Sequence, residues 1–84
     1  MQEVKFLFRT NGARSVKVAG TFTDWEKNAI ELQKLGDGEW SAMVKLPSGE
    51  YQYKFLVDGE WFTDPNASAE VWNNIGSVNS WISV

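Results

Sequence analysis

Apolar residues recur at every second position through most of this chain, and that spacing limits the fold more than any other feature. Alternation with period two is typical of half-buried antiparallel strands, and no comparable helical period appears. Turn residues such as Asn11-Gly12 and Pro47-Ser48-Gly49 separate the alternating segments. The pattern predicts an all-β, antiparallel β-sandwich of about six to eight short strands. The apolar sets that define it are Val4, Phe6 and Phe8; Val16 and Val18; Trp40, Ala42, Val44 and Leu46; Tyr51, Tyr53, Phe55 and Val57; and Val78, Ile82 and Val84.

The dipeptide Asp58-Gly59 follows the most regular of these segments and predicts a tight two-residue hairpin. The predicted pairs are Val57 with Glu60, Leu56 with Trp61, and Phe55 with Phe62. Because Phe55 belongs to the core face, Trp61 and Lys54 should be diagonal neighbours on the outward face. A large ring beside a cation, both facing solvent, suggests a ligand surface. The alternative is a loop that covers Trp61, with Lys54 lying over the ring as a cation–π pair.

The last strand adds a second outward group of the same kind. Its inward phase of Val78, Ile82 and Val84 leaves Asn79, Trp81 and Ser83 on the other face. The chain holds 5 Trp in 84 residues, more than a small core needs, although Trp40, Phe55 and Phe62 are assigned to the core by their phase. Indole rings next to amide, hydroxyl and ammonium groups suit a neutral sugar polymer, whose C–H faces stack while its hydroxyls bond to the polar groups.

The composition of the chain argues against several other functions. A length of 84 residues indicates one domain, residues 1–84, expected to be a monomer. The net charge of −3, with 8 scattered basic residues, argues against binding to nucleic acid or to a membrane surface. With no cysteine and no histidine, the chain lacks the commonest metal ligands and catalytic bases, so no metal and no cofactor is expected. Subcellular location stays open.

Two other classes of function compete with sugar binding. Asp58, Glu60, Asp64 and Glu70 could supply the paired carboxylates of a glycosidase. However, Asp58 is explained by the hairpin turn and Asp64 by its position before Pro65, and a small sandwich offers no cleft around a scissile bond. The second alternative is a protein-interaction sandwich whose outward aromatic residues dock on a partner.

Three blocks in order resemble a known family: VAGTFTDW at 18–25, GEYQYKFLVDGEWFTDP at 49–65 and NIGSVNSWISV at 74–84. They are similar to carbohydrate-binding module family 48, in particular to the glycogen-binding domains of AMP-activated protein kinase beta subunits and related starch-binding modules. The resemblance implies an immunoglobulin-like sandwich without catalytic activity that binds α-1,4-linked glucans such as glycogen or starch. It also implies attachment to a larger protein, which could be a branching or debranching enzyme, and a cytoplasmic or plastid location.

The resemblance also implies particular roles for six residues. Trp25 and Trp61 match the family's two stacking platforms, and Lys54 and Asn79 match side chains that hydrogen-bond sugar hydroxyls. Ile75 and Ser77 fall where the kinase domain has a glucan-contacting leucine and a threonine. Two tryptophans depart from the family pattern. We interpret Trp72 as a plug that closes the end of the sandwich and Trp81 as cover over the outer sheet, with extension of the sugar platform as the alternative for each.

Overall fold

The computed structural model describes residues 1–73 and 75–84, and within them it has nine strands in two antiparallel sheets. The predicted all-β sandwich is confirmed. The strands are β1 Gln2–Arg9, β2 Val16–Gly20, β3 Ile30–Glu31, β4 Gln33–Gly36, β5 Glu39–Leu46, β6 Glu50–Val57, β7 Glu60–Phe62, β8 Ala69–Trp72 and β9 Val78–Ser83, with a 3₁₀ helix at Trp25–Asn28. No helix in the described ranges has the length and apolar character to cross a membrane.

The strand count exceeds the expected six to eight because short strands lie where the sequence does not alternate. β3 has two residues, and β4 carries a bulge between Lys34 and Gly36. β8 has four residues and lies outside the alternating segments that define the predicted strands. Segments this short cannot show repeated alternation of apolar and polar residues. They form strands because they pair with neighbouring strands, not because of their own sequence pattern.

The two sheets share one apolar core. One sheet has the order β1-β5-β4, and the other has the order β3-β2-β6-β9-β8, with β7 also paired to β6. Inward residues of both sheets meet in a single buried cluster, which consists of Phe6, Val16, Val18, Leu32, Trp40, Leu46, Tyr53, Phe55 and Val57. Alternate positions of the long strands therefore face the core as the period-two spacing predicts.

Strand β6 organises the second sheet. β2 pairs with its second half along one edge. On the other edge, β9 pairs with its first half and β7 with its second half. Because these neighbours surround one strand, the outward residues of β6, β7 and β9 form one continuous face.

The hairpin prediction is confirmed pair for pair, with Phe55 opposite Phe62, Leu56 opposite Trp61 and Val57 opposite Glu60. The turn residues have φ of 48° at Asp58 and 86° at Gly59, as a type I′ turn requires. The Asp58 carboxylate also accepts a hydrogen bond from the Ser15 N–H at 2.9 Å. This residue is thus used both for its turn conformation and for anchoring the hairpin to the β1–β2 loop.

The prediction that Phe62 is a core residue is wrong. Its side chain is 42% exposed, and its ring centroid lies 5.9 Å from that of Phe8, a partly buried residue packed against the core. β7 has three residues and pairs with β6 alone among the described strands. An inward side chain at such an edge is covered on one side only.

A buried polar network ties the segment after β7 to the core. The Tyr53 hydroxyl donates to Asp64 Oδ2 at 2.7 Å, and the Asp64 N–H donates to the Oγ of the fully buried Ser80 at 2.8 Å. Burial, together with the bond to Asp64, raises the pKa of the Tyr53 hydroxyl far above its usual range. Asp64 therefore has a structural role beyond its position before Pro65.

Candidate carbohydrate-binding site

The outward face of the β6 sheet carries an open groove with a volume of about 650 Å³. Its lining comes from β6, β7 and β9, from the loop after β2 and from the β8–β9 turn. All six residues assigned from the sequence lie in this lining. The lining residues are Thr21, Trp25, Glu26, Gln52, Lys54, Trp61, Asn73, Ile75, Ser77 and Asn79.

Trp61 stands at one end of the outward face of the hairpin. It lies opposite Leu56 on β6 and is 42% exposed, so no loop covers its ring. Lys54, two residues before Leu56 on the same face, donates from Nζ to Ser77 Oγ at 2.7 Å. This bond links β6 to the β8–β9 turn and holds the ammonium group in the groove, where further N–H groups of Lys54 can serve a ligand.

Trp25 reaches the groove through a strained loop. Asp24 and Trp25 have φ of 55° and 56°, the left-handed region that costs a non-glycine residue about 1–2 kcal/mol. Thr23 stabilises this conformation from below. Its buried hydroxyl accepts a hydrogen bond from the Gly20 N–H at 3.0 Å and donates one to the Trp25 carbonyl oxygen at 2.8 Å. This loop conformation places the half-buried Trp25 ring at the groove wall.

A glycine sets how close this loop lies to β6. A Cβ built on Gly20 would lie 2.3 Å from the Gln52 carbonyl oxygen, which is closer than real contacts allow. The next residue, Thr21, donates its N–H to the same carbonyl at 2.9 Å. Gly20 therefore permits the approach that brings the Trp25 loop beside the outward residues of β6.

The β8–β9 turn forms the opposite wall. Asn73 Oδ1 accepts from the N–H groups of Ile75 at 3.1 Å and Ser77 at 2.9 Å, and the Asn73 N–H donates to the Ser77 carbonyl at 2.8 Å. These bonds fix a turn from which the Ile75 side chain projects with 82% exposure. An exposed aliphatic residue thus lies at the groove on a hydrogen-bonded support.

Asn79 occupies the floor and is less accessible than its outward phase suggests. Only 5% of it is exposed, because neighbouring strands surround it and its Nδ2 donates to Gln52 Oε1 at 3.1 Å. The bond leaves the carbonyl oxygen of Asn79 as an acceptor and the Nε2 of Gln52 as a donor. The pair can therefore offer both a hydrogen-bond donor and an acceptor to a ligand hydroxyl.

The groove chemistry combines two indoles and one aliphatic side chain with amides, hydroxyls, one ammonium and one carboxylate. The charged members are Lys54 and Glu26, which balance each other. Such a lining has apolar planes for C–H faces and both donors and acceptors for hydroxyls, the needs of a neutral polyhydroxyl ligand. Asp58 and Asp64 are engaged in structural hydrogen bonds and do not line the groove.

Four lining residues were missed by the sequence analysis: Thr21, Glu26, Gln52 and Asn73. Gln52 could have been found, since it precedes Lys54 by two positions on an alternating strand. Thr21 and Asn73 lie in loops and Glu26 lies in the short 3₁₀ helix, where no periodicity indicates the direction of the side chain.

The two unusual tryptophans have different positions. Trp72 is 73% exposed, so the prediction that it plugs the end of the sandwich is wrong. It ends β8, the edge strand of its sheet, where no described strand lies beyond it to form a cavity to close. Trp81 is half-buried on the outer face, opposite Gln52, as expected for a covering residue. Neither lines the groove.

The fold and this groove together define a β-sandwich binding module with an open, aromatic-walled ligand face. The chain belongs to the family described as the glycogen recognition site of AMP-activated protein kinase, whose sequence model matches residues 2–84. Membership makes the module a non-catalytic glucan-binding domain, and a protein-interaction role is not favoured.

Relatives of known identity agree with this assignment. The chain is 39% identical over 75 residues to the 5'-AMP-activated protein kinase subunit beta-1 of Sus scrofa, covering 89% of this chain and 58% of that protein. It is 37% identical to the Homo sapiens beta-1 subunit and 35% identical to the Mus musculus beta-2 subunit, again over 89% of this chain. The chain spans only 26% and 27% of those two subunits.

The fold also matches a solved structure, the maltogenic amylase from S. marinus, with a TM-score of 0.77. The match covers 98% of this chain and 13% of that chain at 24% identity. At this identity the likeness establishes the fold alone.

Proposed function

We propose that the groove is the site at which this module binds α-1,4-linked glucan chains such as those of glycogen and starch. In this proposal Trp25 and Trp61 stack on the C–H faces of glucose rings. Lys54 and Asn79 hydrogen-bond ring hydroxyls, and Ile75 and Ser77 contact the chain from the β8–β9 turn.

The observation that carries the proposal is that distant parts of the sequence supply one groove. Trp25 and Trp61 are 36 positions apart in the numbering, and Asn79 follows by another 18, yet all three line the same surface. A purely structural role does not explain two incompletely buried indoles beside the Asn79–Gln52 amide pair, which keeps an acceptor and a donor for a ligand. A chain of alternating apolar faces and hydroxyl edges uses both.

The groove is open, so each bound sugar loses only part of its hydration. We expect a single site to bind in the roughly micromolar to millimolar range. A branched polymer with many chain ends raises the effective affinity when modules act together. We propose accordingly that residues 1–84 act as one monomeric domain that localises an attached protein on the polysaccharide.

Calorimetric titration with linear malto-oligosaccharides tests the proposal directly. We expect saturable binding to the α-1,4-linked series and none to cello-oligosaccharides, whose β-1,4 linkage gives a straight chain with different hydroxyl directions. Absence of binding to every α-glucan, amylose included, would overturn the assignment of this groove. Incubation with amylopectin, followed by an assay for reducing ends, checks that the module does not cleave its ligand.

A further inference from the structure

Trp72 is a large aromatic residue with no structural reason to be exposed. It ends β8, and its register partner is Val78, while Val71 pairs with Asn79. Paired residues of an antiparallel ladder point to the same side. Trp72 therefore lies on the face of the β8–β9 hairpin opposite Asn79 and the groove, with 73% of its surface exposed.

The same hairpin connects this indole to the groove. Trp72 immediately precedes Asn73, which lines the groove and holds the turn through its bonds to Ile75 and Ser77. Ile75 projects from that turn with 82% exposure. Two exposed apolar side chains thus lie on the two sides of this hairpin end, Ile75 beside the groove and Trp72 on the opposite face.

We propose that Trp72 is an outer stacking subsite for the same glucan, occupied when a chain leaves the groove at Ile75 and passes around the end of the hairpin. This inference rests on the proposed function of the groove. An α-1,4-linked chain is curved, so it can follow a projecting turn from one face to the other. Glu70, two positions earlier on the same side of β8, offers an exposed carboxylate that can accept hydrogen bonds from sugar hydroxyls.

The size of the patch favours a sugar over a second copy of the chain. A stable protein interface buries about 800 Å² on each partner, whereas one aromatic side chain offers about 150–250 Å². One exposed indole has about the area of a sugar ring or two. Because Trp72 directly precedes Asn73, which lines the groove, the glucan bound in the groove is the sugar polymer that can reach it.

The test compares Trp72→Ala with the unchanged chain across linear malto-oligosaccharides of increasing length. We expect the variant to match the unchanged chain on short ligands that fill only the groove, and to bind longer ones about two- to tenfold more weakly. Trp72→Phe, which keeps an aromatic ring, should recover most of the loss. Met43→Ala removes an exposed apolar side chain from the other sheet and should behave like the unchanged chain.

Each other outcome is distinct. Equal affinities of Trp72→Ala and the unchanged chain at every ligand length would overturn the subsite and leave the groove proposal standing. Absence of glucan binding by the unchanged chain would refute the proposed function of the groove itself. A drop in sedimentation coefficient on Trp72→Ala substitution, with glucan binding unaltered, would show instead that the indole mediates self-association. Thermal unfolding of each variant verifies that the fold is kept.

Discussion

Replacing Trp61 with alanine separates binding from folding most sharply. Trp61 is 42% exposed, and an aromatic side chain presents about 150–250 Å² in all, so a stacked glucose could cover at most about 100 Å² of indole. At about 25 cal/mol per Å², that contact is worth up to about 2.5 kcal/mol. We therefore expect Trp61→Ala to weaken malto-oligosaccharide binding by about ten- to 70-fold.

The same substitution should leave the domain folded. Removing a fully buried Trp costs about 3–5 kcal/mol, and the partly buried Trp61, on a three-residue edge strand, should cost about half of that. A domain of this length has a free energy of unfolding of about 5–10 kcal/mol, which exceeds the loss. Thermal and urea unfolding monitored by circular dichroism measure the stability, and calorimetric titration measures the affinity.

Phe62→Ala is the matched control, because Phe62 is the next residue of β7, is also 42% exposed, and points to the other face. We expect it to lower stability by a similar amount and to leave glucan affinity unchanged. Equal losses of affinity in the two variants would refute the outward-platform reasoning. So would a Trp61→Ala chain that fails to fold while Phe62→Ala folds, since Trp61 would then be a core residue.

Three further changes test other parts of the structure. Lys54→Met keeps the apolar stem and should lower glucan affinity about three- to tenfold by calorimetry, because a charge-assisted hydrogen bond is lost at a solvent-open site. Gly20→Ala should reduce the free energy of unfolding by about 3 kcal/mol in urea titrations, whereas Gly36→Ala, whose Cβ meets nothing within 4 Å, should change it little. The raised pKa of Tyr53 means that its contribution to stability is complete below about pH 10 and falls as the pH rises further, and Tyr53→Phe should remove this part of the alkaline loss.

Each of the three has an outcome that contradicts it. Unchanged affinity in Lys54→Met would mean that the ammonium serves only its bond to Ser77. Comparable stability of the two glycine variants would show that the approach of β2 to β6 is not tight. An alkaline unfolding profile identical in Tyr53→Phe and the unchanged chain would place the titration elsewhere.

The amino-acid sequence alone determines the direction of side chains on the long strands. Successive side chains of an extended strand point to opposite faces, and this depends only on the local backbone. The alternation around Lys54 and the Asp58-Gly59 turn therefore suffice to place Lys54 and Trp61 on one outward face. The hairpin pairing follows for the same reason, because a two-residue turn sets the register of both strands. Trp25, Ile75 and Ser77 lie in loops or turns, and only the family resemblance indicates them.

Only the tertiary structure decides which loops meet that face and how much of each side chain stays in water. The Trp25 loop and the β8–β9 turn approach Lys54 because β2 and β9 occupy opposite edges of β6, and such pairing joins residues far apart in sequence. Exposure likewise depends on neighbours that periodicity does not specify. For that reason inward-phase Phe62 remains exposed at an edge, outward-phase Asn79 is buried among strands, and Trp72 is exposed to solvent on the edge strand β8.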